Sequence, residues 1–176
     1  MLELYHVPFS DLIFYIRDSE SDKDRENSNY EKIRKFWTAA LSVLQQNNND
    51  NQMFKDSRPT KYQYIYGKIA IPRFVLLVGI LKDKVRVEIR LDRDDSLNKQ
   101  VFDSIYEHKN EIESRLGVSL VWDRGDTRKV SCISHSLENI KVFNDSEFDR
   151  TTDFLSIWSS LFYSCGIRGK WDSQSE

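Results

Sequence analysis

Residues 74–91, Phe74-Val75-Leu76-Leu77-Val78-Gly79-Ile80-Leu81-Lys82-Asp83-Lys84-Val85-Arg86-Val87-Glu88-Ile89-Arg90-Leu91, decide the fold of this chain. The first part, through Val78, is apolar at every position, which describes a central strand covered on both faces. Lys82-Asp83-Lys84 is a polar turn. Beyond it Val85, Val87, Ile89 and Leu91 alternate with Arg86, Glu88 and Arg90, the period-two signature of a second strand. Two such strands around a short polar turn predict an antiparallel hairpin.

The same alternation puts Arg86, Glu88 and Arg90 on one face. Charges there either reach solvent or pair with one another. One reading is an ion-paired ladder. The other is an anion-binding or catalytic surface with Glu88 held between two guanidinium groups.

Working upstream, Tyr62, Tyr64 and Tyr66 repeat at period two and are continued by Ile69 and Ile71, predicting one strand or a bent pair before Pro72. A helix is expected from Ser28, where Ser28 and Glu31 form a capping box. Ile33, Phe36, Trp37, Ala40, Leu41 and Leu44 supply its buried stripe. Residues 17–27 are dense in charge and hold no aliphatic or aromatic side chain, so they are expected to be a linker. The short apolar piece 1–16 is then an N-terminal appendage. Downstream, Asp94-Asp95-Ser96 precedes a long helix whose stripe is Leu97, Val101, Phe102, Ile105, Ile112 and Leu116, with Gly117 as its left-handed stop. Strands are expected at 118–122 and 130–134, then an acidic loop over 136–149. A last helix runs from about Thr151 with Phe154, Leu155, Trp158, Leu161, Phe162 and Cys165 on its core side. The order α-β-β-β-α-β-β-α predicts one α+β domain over 28–170, a mainly antiparallel sheet packed against two or three helices, with residues 171–176 a frayed tail.

Composition narrows the function classes. The chain of 176 residues has a net charge of −2. Residues 55–93 nevertheless hold ten Lys and Arg against four Asp and Glu, a local net of +6. A basic middle suits either the polar side of a sheet or an anionic partner. No apolar run approaches the length that spans a bilayer, and nothing at the N-terminus has the form of a targeting signal. The two cysteines, Cys132 and Cys165, form no disulfide framework. A cytoplasmic location is therefore expected. His6, His108 and His135 are scattered, with no metal-ligand spacing, and the glycines make no nucleotide-binding loop. No nucleophile motif is present, so neither a metal nor another cofactor is expected. Tyr62, Tyr64 and Tyr66 among Lys61, Lys68 and Arg73 have the look of a stacking surface for single strands, or of half-buried packing residues.

The order α-β-β-β-α-β is similar to the core of the PD-(D/E)XK nucleases, whose third strand carries a metal-binding acid and a lysine. Here that position reads Glu88-Ile89-Arg90. This resemblance implies Mg²⁺ held between two acids, but the preceding strand, Arg73 to Leu81, offers none, and Asp83 lies in the turn.

A second resemblance covers residues 30–165. Phe36-Trp37, Val87-Glu88-Ile89, Asn98-Lys99 with Phe102, Lys109, Ile112-Glu113, Gly117, Leu120-Val121-Trp122-Asp123 and Trp158 resemble a prokaryotic family known as domain of unknown function 4268. Its members stand alone or follow nuclease-like modules. The resemblance implies an accessory role near nucleic-acid processing or defence, and brings no catalytic residues. The expected function is a binding or interaction domain whose contacts run through Arg86, Glu88, Arg90, Tyr62, Tyr64 and Tyr66. Its partner is a nucleic acid, another protein or a second copy of the chain. The alternative is a degenerate or unusual metal-dependent nuclease with Glu88 as its catalytic acid.

Overall fold

The computed structural model describes residues 20–47, 53–69, 73–92 and 95–167. The expected appendage 1–16 and tail 171–176 lie outside them. Helix α1 spans Glu20–Asn47, followed by strands β1 (Tyr64–Gly67), β2 (Phe74–Ile80) and β3 (Lys84–Leu91). Helices α2 (Asp95–Tyr106) and α3 (Lys109–Leu116) lead to β4 (Val121–Asp123) and β5 (Ser131–Glu138). A 3-10 turn at Asp145–Glu147 opens α4 (Phe148–Ile167). The strands form one sheet in the order β1-β2-β3-β5-β4, every neighbouring pair antiparallel. The fold is α+β, as the pattern predicts. Among the described residues no helix is long and apolar enough to cross a membrane.

The hairpin at the centre forms as expected. Leu81 N–H donates to Lys84 C=O at 2.8 Å across the Lys82-Asp83 turn, and Ile80 stands opposite Val85. Val85, Val87 and Ile89 of β3 share one buried core with the stripe of α1, of which Ile33, Phe36, Trp37, Ala40, Leu41 and Leu44 are all buried. Leu155, Trp158 and Phe162 of α4 and Phe102 and Ile105 of α2 complete this core. Burying each large side chain of this kind contributes roughly 1.5–3 kcal/mol.

β1, β4 and α4 begin or end a few residues from where the sequence places them, and three boundaries differ more. α1 begins at Glu20, so Ser28 lies inside the helix and makes no capping box, and residues 20–27 of the expected linker are helical. No Gly or Pro interrupts residues 20–32, so nothing in the sequence stops the helix there. Such a stretch needs no core to stay helical once the Ile33–Leu44 face anchors it.

The long second helix is broken in two. His108 N–H bonds to Ile105 C=O rather than one residue further back, and His108 turns to φ −98°, ψ 11°. The break lets Phe102 and Tyr106 flank Trp122, at ring separations of 6.2 and 5.5 Å, while α3 swings toward β4. Gly117 then ends α3 at φ 70°, as expected. Finally, β5 continues to Glu138, because β3 offers eight residues and β5 pairs with all of them, from Leu91↔Ser131 to Lys84↔Glu138. Ile140 and Val142, read as loop, are buried.

His135 faces the helices, its ring 4.1 Å from Trp158 and 5.6 Å from Phe154. Burial holds its pKa below the usual histidine range, outweighing a hydrogen bond with the Ser119 backbone. The folded state thus prefers neutral imidazole. Unfolded chains take up a proton below pH ~6.5, so this contribution is intact above that pH and is lost as pH falls from there toward the depressed folded value. Melting temperature followed from pH 7.5 to 5.5 should fall more steeply for the native protein than for His135→Phe; parallel curves would refute this.

Candidate binding face

In an antiparallel ladder, residues opposite one another project to the same side. The registers therefore define the sheet face turned away from the helix-packed core. Arg86 stands opposite Gly79 and Ser136, Glu88 opposite Leu77 and Ser134, and Arg90 opposite Val75 and Cys132. On the outer strands Tyr64 lies opposite Gly79, Tyr66 opposite Leu77, Val121 opposite Ser134 and Asp123 opposite Cys132. The sheet thus brings Tyr64 and Tyr66 onto the same face as Arg86, Glu88 and Arg90. Sequence spacing alone does not link these two groups.

The charged trio is paired and largely withdrawn from water. Arg90 Nε donates to Glu88 Oε1 at 2.6 Å, and Arg86 Nη1 lies 3.8 Å from Glu88 Oε2. Glu88 is 3% exposed and Arg90 5%, whereas the Arg86 side chain keeps 24%. Burial works against the charge on Arg90, but the Glu88 carboxylate more than restores it and holds its pKa above the ordinary arginine value. Arg86 Nε also approaches Ser136 Oγ at 3.4 Å. The pairing runs along β3 itself rather than across strands.

Beside the trio, burial raises the Cys132 thiol's pKa, and the Glu88 charge and a hydrogen bond to that carboxylate raise it further. A thiol so placed stays protonated at neutral pH and is a poor nucleophile. Asp123, at the far side of Cys132, is ion-paired with Arg128.

The tyrosines form a continuous aromatic edge. Tyr62 and Tyr64 stack at 6.0 Å with an interplanar angle of 18°, and Tyr64 meets Tyr66 edge-on at 5.6 Å. Tyr62 is 55% exposed and Tyr66 49%; Tyr64 is half-buried. Trp37 Nε1, from the core of α1, donates to Tyr62 C=O at 2.8 Å, and Ser57 Oγ donates to Tyr66 C=O at 2.8 Å. The edge is thereby pinned from behind. Lys61 Nζ lies 5.8 Å from the Tyr62 ring centre and 5.0 Å from that of Tyr30.

The polar residues that carry much of the sequence resemblance have a different task. Lys99 Nζ reaches from α2 to the carbonyls of Gly125 (2.8 Å), Val130 (3.2 Å) and Arg124 and to Ser131 Oγ (3.0 Å). The wholly buried Asn98 donates to Lys129 C=O at 3.2 Å. Glu113 Oε1 accepts from Leu120 N–H at 2.8 Å and Trp122 Nε1 at 2.9 Å. Burial alone would raise the Glu113 pKa; these two bonds and the charge of Lys109 outweigh it and hold the carboxyl below its usual range. All three residues clamp the β4–β5 hairpin to α2 and α3. The sequence profile of the domain of unknown function 4268 (DUF4268) matches residues 33–165, three quarters of the chain. The chain belongs to the DUF4268 family. No curated protein and no solved structure gives a significant match. The hairpin clamp and the Glu88 trio both lie within the DUF4268 region.

Proposed function

We propose that this DUF4268 domain is a binding module that takes single-stranded nucleic acid along the Tyr62–Tyr64–Tyr66 edge and the adjoining Arg86. The observation that carries this reading is the exposure of Tyr62 and Tyr66, in a pinned ladder on the face that also presents a guanidinium group. Folding ordinarily buries large aromatic surface, and a contiguous aromatic row left open beside cations suits unstacked bases and their phosphates. The local excess of basic residues over 55–93 supports the same ligand class. The nuclease alternative is less favoured. Both Glu88 oxygens already face arginines, and among the described residues no three His, Cys, Asp or Glu are grouped to hold a metal.

Fluorescence anisotropy with labelled oligo-dT and oligo-U, against duplex DNA of equal length, tests the proposal. Single strands should bind more tightly than duplex, and affinity should fall with salt. Tyr66→Ala and Tyr62→Ala should each weaken binding by about 1–3 kcal/mol, the usual worth of one stacked base. Absence of binding at low salt would overturn the reading and leave a protein partner as the better one.

A further inference from the structure

We infer, independently of the single-strand reading, that residues 1–16 of this chain seat on the middle of the sheet face opposite the helices, over Leu77 and the Glu88–Arg90 pair. One row of residues crosses that face from edge to edge, Tyr66–Leu77–Glu88–Ser134–Val121. Its exposures run 49%, 0%, 3%, 5% and 61%. A sheet face without cover leaves its side chains in contact with water. Here the three inner strands are shut off from solvent, while the two outer ones are open. Gly79, Arg90 and Cys132, in the rows on either side, are buried as well.

The described helices pack on the other face. α4 meets it at His135, through Phe154 and Trp158, and α2 meets it at Trp122, through Phe102. The core built with α1, α2 and α4 takes in Leu76 and Val78 of β2 but not Leu77 between them. Leu77 therefore owes its burial to another part of the chain or to a partner.

The width of the covered strip points to one segment rather than a whole partner. Three neighbouring strands span about 9.6 Å, and a single helix is about 10 Å across. A second copy of the domain resting on this face would bury Tyr66 and Val121 too. Residues 1–16 have the composition the strip requires. Eleven of the sixteen are apolar, more than so short a piece can bury within itself. Their charges are Glu3 and Asp11, with no Lys or Arg. The strip presents Arg86 and Arg90, and each has a further interaction beyond those with Glu88 and Ser136. Carboxylates suit that side. Residues 168–176 suit it less, with Trp171 as their one large apolar side chain and with Arg168 and Lys170 bringing like charge. Reach is sufficient as well. The Tyr30 ring of α1 lies 5.0 Å from Lys61 Nζ, beside the approach to β1. Glu20 is about 15 Å further along the helix, and sixteen extended residues reach up to roughly 50 Å.

Two measurements on the full chain test the seating. In the first, p-benzoylphenylalanine replaces Phe9 or Phe14, and the irradiated protein is mapped by mass spectrometry. Adducts within one chain on β2, β3 or β5 are expected. Adducts between two chains, adducts confined to the helices, or none from either position would overturn the inference. In the second, Cys132 reports on the covered face in a Cys165→Ser background, where it is the only thiol. Adding Ile13→Asp with Phe14→Asp should speed its labelling by Ellman's reagent about tenfold or more, since a buried thiol reacts through open states. Equal rates in two folded proteins would mean that residues 1–16 are not the cover. If the double change abolishes cooperative melting, the crosslinks decide alone.

Discussion

Glu88→Ala is expected to cost about 3–5 kcal/mol of folding stability, because it removes the carboxylate ion-paired with a buried guanidinium. Arg90 is 5% exposed, and its Nε bond to Glu88 is the shortest contact of the trio at 2.6 Å. Leu77 and Ser134 flank Glu88 on the neighbouring strands, and both are buried. Removing the carboxylate takes away the hydrogen bond and the opposite charge that offset the burial of the Arg90 guanidinium. For a domain of this size the loss corresponds to a fall in melting temperature of roughly 10 °C. Two companions separate charge from packing. Glu88→Gln keeps an acceptor for Arg90 and should cost less. The double change Glu88→Leu with Arg90→Leu removes both charges together and should be near neutral, since an ion pair desolvated this far repays little more than its burial. Urea denaturation of the four proteins gives the comparison. If Glu88→Ala stays within about 0.5 kcal/mol of native, the trio is open to water and not structural. Loss of any activity in Glu88→Ala is therefore ambiguous, and Tyr62 and Tyr66, exposed and free of the core, are the cleaner probes of function.

The parts of this architecture that could be read from sequence are those fixed by local periodicity. Ile33 to Leu44 repeat every three or four residues over twelve positions, and each is buried as that repeat requires. Val85 to Leu91 alternate without a fault, which sets the hairpin and puts Arg86, Glu88 and Arg90 on one face. The features that could not be read depend on partners distant in the chain. The break at His108 has no Gly or Pro to announce it; it follows from Trp122 drawing Phe102 and Tyr106 to its flanks. The length of β5 is dictated by β3, more than forty residues earlier, and Ser134, His135 and Ser136 hide the strand because one face of it is polar and the other carries an imidazole packed on Trp158. The helical start at Glu20 was masked by charge, which argues against burial but not against helix. At the site the trio was legible, its burial was not. Nor was its alignment with the tyrosines, since the β1–β2 register settles which rows Tyr64 and Tyr66 join. Lys99, Asn98 and Glu113 carry ordinary surface residue types, and only the folded hairpin reveals what they hold.

That hairpin predicts the second large effect, at Gly125. Its φ of +66° belongs to the left-handed region, and a Cβ there would stand 2.1 Å from Val130 O and 3.3 Å from Lys99 Nζ. No rotamer relieves this, because the first obstacle is backbone. Around it, Gly125 N–H donates to Asp123 Oδ1 at 3.0 Å, and its C=O accepts from Arg128 N–H at 2.9 Å and from Lys99 at 2.8 Å. Moving the turn to admit a methyl group therefore disturbs three bonds at once, one of them to a lysine that also holds Val130 and Ser131. Gly125→Ala should cost about 3–5 kcal/mol, combining backbone strain of 1–3 kcal/mol with overpacking of similar size. Gly117 is the internal control: its φ is +70°, but nothing lies within 4 Å of the position its Cβ would take. Gly117→Ala should carry the strain alone, about 1 kcal/mol. Denaturant unfolding of the two variants decides between conformation and contact. Equal losses would mean that φ alone matters and that the Lys99 clamp yields; a larger loss at Gly125 locates the rigidity of the β4–β5 hairpin in that clamp. Because Asp123 and Cys132 of the hairpin lie on the face carrying Glu88 and Arg90, the same variant should also loosen the far side of the candidate binding face while leaving the tyrosine edge, two strands beyond Glu88, in place.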